Sequence, residues 1–239
     1  MANMKELPVV LMHENSFSRK EFINAMMDCY SMSKTQSDYD LQKRIKAGSL
    51  VRIGWGQYAL SKEKMLYSHV YSEEALEIAS TITKQYDNLN FQIFELEQLN
   101  AFMNHLVAHN TIFVSVENDL IDYVFDTLWK AYPGRVLLKP STDEYYRYLQ
   151  DNEIIVNRLP SETPKGYGPP WQSKLEKILV DVSVDKIVSE IVPNVEKQVI
   201  FENAFHDYLI DVNMMIHYAN RKRAKKKIVQ MLKEHGRMA

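Results

Sequence analysis

The chain has 239 residues, 46% hydrophobic and 25% charged, a balance that excludes wholesale disorder and suits a small domain joined to a larger one. Its one cysteine, Cys29, excludes an internal disulfide and a cysteine-built zinc site, and a reducing, cytoplasmic location is expected. The formal net charge of -2 is uneven: residues 1–70 carry 10 Lys+Arg against 7 Asp+Glu, residues 71–218 carry 11 against 23, and residues 219–239 carry 8 against 1. Basic ends around an acidic middle suit polyanion contact at the ends, with a basic partner or plain solvation between them.

The opening MANMKELPVVLMHENS lacks a basic region followed by an adequate apolar run, and no run of about 18 apolar residues follows, so neither a signal peptide nor a membrane span is expected. Ser18-Arg19-Lys20-Glu21 is a capping box ahead of Phe22, Ile23, Met26 and Met27, which predicts an amphipathic helix. Ser37 or Asp38 is expected to cap a second helix running to Ala47. Leu41 and Ile45 lie on its inner face, and Gly48 is the residue past its end. Leu50–Ile53 and Gln57–Leu60 alternate apolar and polar residues around Gly54-Trp55-Gly56, a hairpin signature that predicts a wing.

From Tyr71 the pattern alternates. Helices are expected near Ser72–Tyr86, Glu95–Val107, Asp119–Ala131 and Thr142–Leu149. Strands are expected at Phe91–Phe94, Thr111–Val116, Val136–Leu138 and Ile154–Asn157. Ser141-Thr142-Asp143-Glu144 is a further capping box. Arg158–Trp171 holds four of the eight prolines and reads as an extended loop, after which Ser173–Val192 and Glu196–His235 look helical. Phe205, Leu209, Val212, Ile216 and Ala219 trace one apolar stripe there. The predicted fold class is α+β or α/β: a winged helix-turn-helix over residues 1–70, a mixed α/β domain over 71–158, and a proline-rich loop with a helical C-terminal region over 159–239.

Function points to the second helix and the wing. Such a helix reads base edges in the major groove, so Lys34, Thr35, Gln36, Ser37, Tyr39, Gln42, Lys43 and Lys46 are candidate DNA contacts. Arg52, Trp55 and Gln57 on the wing are candidates for the adjacent backbone or minor groove. Lys43 and Lys46 with Arg44 also complement a helix C-terminus, which is the structural alternative. Arg221, Lys222, Arg223, Lys225, Lys226 and Lys227 form a basic run read as lying inside one helix, either a second phosphate-contacting surface or a solvated face.

Metal-ligating candidates do not converge. Asp207 and Asp211 are four apart, but His217 lies about 240° further round the expected helix, which leaves His206 without a set to join. His105 and His109 have no third ligand in sight. No phosphate-binding loop, H-E-x-x-H or acid-x-lysine pair is present, so no enzyme activity, cofactor or metal is expected. Two other readings stay open: an interaction module whose acidic α/β part grips a basic protein, and an atypical nuclease or nucleotide-processing domain relying on carboxylates such as Glu117 or Asp119.

Ile45 to Leu60, reading IKAGSLVRIGWGQYAL, resembles the helix-end, glycine, wing and Gly-x-Tyr signature of the AbiEi-type antitoxins of type IV toxin–antitoxin systems. Lys174–Asp181 and Asn213–Arg221 are similar to later segments of that family. The resemblance implies a transcriptional autoregulator that binds double-stranded DNA of its own promoter. It also implies a neighbouring nucleotidyltransferase toxin, countered functionally and not necessarily by a physical complex. The Gly-Trp-Gly tip, without a basic residue between the glycines, and the acidic middle depart from the family pattern.

Overall fold

Local capping sets the first elements. The structure, a computed structural model, describes residues 7–12, 16–46, 49–60 and 66–235, and the side chains of all of these except Met12 and Lys46. The chain is a mixed α+β protein that divides into two compact units, residues 1–66 with 207–213 and residues 67–206 with 214–239.

The first unit contains α1 (Val9–Met12), β1 (Phe17–Ser18), α2 (Arg19–Tyr30), α3 (Lys34–Lys46), β2 (Leu50–Gly54) and β3 (Gln57–Leu60). The predicted box at Ser18 is formed: its hydroxyl accepts from the Glu21 N–H, and the Glu21 carboxylate accepts from the Ser18 N–H. Phe22, Ile23 and Met26 are buried as expected, whereas Met27 is 41% exposed. α3 begins earlier than the sequence reading placed it. Ser33 accepts from the Gln36 N–H and Gln36 accepts from the Ser33 N–H, so Ser33-Lys34-Thr35-Gln36 supplies the start, and Ser37 lies inside the first turn. Ala47 and Gly48, the expected end of this helix, lie outside the described residues.

Strands β1, β3 and β2 form a three-stranded antiparallel sheet in that order, with a bulge between Arg52 and Gly54 and Gly56 at φ 64, where a glycine avoids Cβ strain. Phe17, Phe22, Met26, Leu41, Leu50 and Tyr58 close a small core beneath them.

The second unit is built on α4 (Glu73–Gln85), β4 (Phe91–Glu95), β5 (Thr111–Val116), α5 (Ile121–Ala131), β6 (Val136–Leu138), α6 (Thr142–Tyr148) and β7 (Glu153–Arg158). The sheet order is β4-β5-β7-β6, with β4 antiparallel and the others parallel. Alternation along the strands sends Ile93, Ile112, Val114, Val116, Ile154 and Val156 to the face where Ile78 and Ile82 of α4 and Val124 and Leu128 of α5 join the core. Each fully buried Ile, Val or Leu there contributes about 1.5–3 kcal/mol of transfer free energy.

The helix expected over Glu95–Val107 is instead the end of β4 and a short 3-10 helix, Leu96–Ala101. Asparagines accompany the difference: the Glu97 N–H donates to Asn110 Oδ1, and the Val107 N–H donates to Asn100 Oδ1 rather than to a carbonyl four residues back.

The C-terminal helices are also shorter than their patterns: α7 (Leu175–Val184), α8 (Val188–Ile191), α9 (Asn194–Asp207), α10 (Val212–Arg221) and α11 (Lys225–Glu234). Asp185 accepts from the Ile187 and Val188 N–H groups and starts α8, Asp211 accepts from the Asn213 N–H at the start of α10, and Arg223 sits at φ 58 between α10 and α11. The Phe205–Ala219 stripe therefore runs across a break. Its Phe205, Val212 and Ala219 are buried, and Leu209 and Ile216 are half-buried.

Helix α7 is buried from Leu175 to Ser183, charged residues included. Lys177 and Asp181 pair four residues apart at 2.8 Å, Lys222 reaches Asp181 at 3.0 Å and Asp185 at 3.2 Å, and the Tyr218 hydroxyl donates to Asp181 at 3.1 Å. Burial works to raise the Asp181 carboxyl, but the Lys177 and Lys222 ammonium groups outweigh it and hold the carboxyl below its ordinary range. Burial works to lower Lys222, and the Asp181 and Asp185 charges outweigh it, so Lys222 holds its proton more tightly than usual.

The contribution of Asp181 is thus present above about pH 4 and lost as the pH falls further, and that of Lys222 is present below about pH 10 and lost as the pH rises. Asp181→Asn should cost about 3–5 kcal/mol at neutral pH by leaving the buried Lys177 ammonium facing a neutral amide and Lys222 with Asp185 alone. In urea unfolding followed across pH, the gap between wild type and variant should narrow below about pH 4.

Candidate functional site

Helix α3 carries two acids, and each is held by an arginine. Arg19, at the first position of α2, grips Asp38 with two hydrogen bonds of 2.8 and 2.7 Å. Arg44 and Asp40, one turn apart and both buried, form the second pair. The paired acids turn sideways and inward with Ser37, Leu41 and Arg44, and the opposite side presents Thr35, Tyr39 and Gln42, spaced four and three residues apart on one face. Tyr39 is 73% exposed. Lys34 and Gln36 are exposed at the helix start, with the Gln36 side-chain oxygen engaged by Ser33, and Lys43 is half-buried. The side chain of Lys46 lies outside the described residues.

The hairpin is anchored at its tip. The Arg19 N–H donates to the Gly56 carbonyl at 3.0 Å, and β1 pairs with β3 through Phe17 with Tyr58 and Ser18 with Gln57. Beyond that anchor Trp55 is 84% exposed, with Arg52 and Gln57 also exposed and the Arg52 guanidinium donating to the Gly54 carbonyl. The result is a helix face and a hairpin tip bearing hydroxyl, amide, ammonium, guanidinium and indole groups.

Two corrections follow for the expected contacts. Ser37 is 0% exposed and its hydroxyl donates to the Ser33 carbonyl, so it faces the core of its own unit and is not a DNA contact. The basic C-terminal run does not lie inside one helix, and half of it is engaged internally. Arg221 pairs with Glu162, Lys222 is held between Asp181 and Asp185, and Lys227 donates to the Ser183 carbonyl at 2.6 Å, near the C-terminus of α7. Lys222 alone of the six is half-buried, and Arg221, Arg223, Lys225, Lys226 and Lys227 are exposed.

The histidines weighed in the sequence separate. His105 pairs with Glu196 and His109 with Asp151, both at 2.7 Å, and His217 pairs with Glu162. Glu117 is half-buried and Asp119 exposed at the turn after β5. One group within reach of a shared ion does occur among the described residues, and the sequence reading missed it: His69, Glu95 and Glu97, whose ligand atoms lie within 4.8 Å of one another. Burial works to raise the Glu95 carboxyl, and the His69 imidazole and hydrogen bonds from Ser72 hold it below its ordinary range. Glu97 is pushed up by burial and by the Glu95 charge. The acid-x-acid spacing of Glu95 and Glu97 was the available signal. His69, distant in sequence, gave none.

A family model described as "Family of unknown function (DUF6577)" matches residues 36–238, and the chain belongs to that family. The match begins inside α3 and takes in the hairpin and the second unit. No curated protein matches the chain. No helix among the described residues is long and apolar enough to cross a membrane.

Asp40→Asn should destabilise the first unit by about 3–5 kcal/mol, since it leaves the Arg44 guanidinium buried without its carboxylate. Arg19→Ala should change the melting temperature little, because the Arg19–Asp38 pair is open to solvent. Thermal unfolding followed by circular dichroism checks both.

Proposed function

We propose that the first unit is a winged helix-turn-helix and that the protein is a DNA-binding transcriptional autoregulator acting in the cytoplasm by binding rather than by catalysis. The pairing of both α3 acids carries this reading: it leaves an outward face with no unpaired carboxylate from that helix, which a phosphate-lined groove would otherwise repel. Thr35, Tyr39 and Gln42 are the groups proposed to meet base edges. Lys34 and Lys43 are proposed to meet phosphates, and Arg52, Trp55 and Gln57 to lie along the flanking backbone or minor groove. Lys46 keeps its place in the proposal from sequence alone. Arg223, Lys225 and Lys226 are a secondary, purely electrostatic contribution.

The antitoxin role is the finer part of the proposal. It rests on the likeness of Ile45–Leu60 to the AbiEi-type antitoxins, and it assigns the protein a nucleotidyltransferase toxin encoded next to it, countered with or without a stable complex. Co-expression of the two neighbouring genes should restore growth that the toxin alone arrests, and arrest that persists in the presence of this protein contradicts the role.

DNA binding is tested by fluorescence anisotropy with a duplex from immediately upstream of the protein's own gene, against a scrambled duplex. Wild type should prefer its own duplex and lose affinity steeply as salt rises. Tyr39→Ala with Gln42→Ala should weaken that binding on the order of 10-fold or more while leaving the scrambled duplex nearly unaffected. Equal affinity for both duplexes, or indifference to the double substitution, contradicts the reading.

A further inference from the structure

The segment before α4 and the loop before α7 meet around a pocket of about 320 Å³ whose walls include His69, Tyr71, Gly166, Tyr167, Ser173 and Lys174. The loop is held close. The Gly166 N–H donates to the Gln172 carbonyl at 3.0 Å, and a Cβ on Gly166 would come within 2.9 Å of that same oxygen.

Three observations at this pocket concern polar groups lacking the partners that buried groups ordinarily have. The Ser173 hydroxyl, on a residue 4% exposed, makes no hydrogen bond. His69 Nε2, buried at the atom, makes no close hydrogen bond and has the Glu95 carboxylate as its neighbour at 3.4 Å. The Lys174 ammonium, on a residue 8% exposed, meets the Tyr167 ring at 4.5 Å and the Met214 sulfur at 3.4 Å, with no carboxylate on it among the described residues.

We propose that His69 Nε2, Glu95 and Glu97 bind one divalent transition-metal ion, with His69 joining this group to the wall of the pocket. An imidazole with two carboxylates is the donor set of zinc, manganese and iron(II) sites, and the nitrogen ligand disfavours calcium and magnesium. The Glu95 carboxylate is already oriented as a ligand, since it accepts the Ser72 N–H at 3.1 Å and the Ser72 hydroxyl at 2.5 Å. Two donors on one ion at 2.0–2.2 Å stand at most about 4.4 Å apart. His69 Nε2 and Glu95 Oε2, 3.4 Å apart, already have the roughly 3.3–3.6 Å separation of two tetrahedral donors, and the Glu97 carboxylate, within 4.8 Å of both, would close by about an ångström through its half-buried side chain.

Three protein ligands leave coordination positions open on the ion. The site lies wholly in the second unit and does not depend on the DNA-binding proposal.

The test is titration of the full-length, chelator-stripped protein with Co²⁺, read by visible absorption for d–d bands and by equilibrium dialysis for stoichiometry. The expected result is one saturable site with a dissociation constant on the order of 10 μM or tighter, weakened 10-fold or more in both His69→Gln and Glu97→Gln. His109→Gln, at a surface pair elsewhere, should leave it unchanged. Circular dichroism establishes that each variant is folded, and Glu97→Gln, at a half-buried position, keeps the test meaningful should His69→Gln misfold. No saturable binding at about 100 μM Co²⁺, or binding unaltered in His69→Gln or Glu97→Gln, overturns the proposal.

Discussion

Two arginine–aspartate pairs determine what helix α3 can present. The open pair, Arg19 with Asp38, joins the start of α2 to α3, and the buried pair, Arg44 with Asp40, lies within the inner face of α3. Asp38, partly exposed beside the outer face, would set a negative charge against any polyanion if left unpaired. With both held, the remaining surface is Thr35, Tyr39 and Gln42 with lysine at the helix start. The same Arg19 carries the backbone N–H that fixes the hairpin tip at Gly56, so one residue steadies both the helix and the turn that exposes Trp55. Stability and the proposed recognition surface share this framework, and core substitutions there should alter both.

The second unit uses charge differently. Its sheet buries apolar residues against α4 and α5, while α7 carries Lys177 and Asp181 into the interior, where Lys222 and Tyr218 complete their coordination. Three of the six cations in the basic run between 221 and 227 are thereby committed to internal partners. Of these only Lys222 answers a buried carboxylate, Asp181, while Arg221 and Lys227, themselves exposed, hold Glu162 and the Ser183 carbonyl.

What was legible in the sequence was mostly local. The Ser18 and Ser141 boxes formed as written, and Thr111–Val116 and Val136–Leu138 became strands with those bounds, since continuous apolar runs suit a sheet covered on both faces. The start of α3 was misplaced because Ser33, Ser37 and Asp38 all have capping chemistry, and only the reciprocal bonds with Gln36 single out Ser33. Glu95–Val107 has a helical period, but Asn100 and Asn110 bind its backbone N–H groups. The pairing of Lys222 with Asp181 and the approach of His69 to Glu95 are contacts between distant segments, and no spacing rule encodes them.

The central claim is that α3 and the hairpin tip are where nucleic acid is met. Hydrogen exchange of the full-length protein, followed by mass spectrometry with and without its upstream duplex, examines this without any substitution. Slowed exchange concentrated in peptides spanning Lys34–Lys43 and Arg52–Gln57 is the predicted result. Slowing confined to the second unit, or none at saturating duplex, would contradict it.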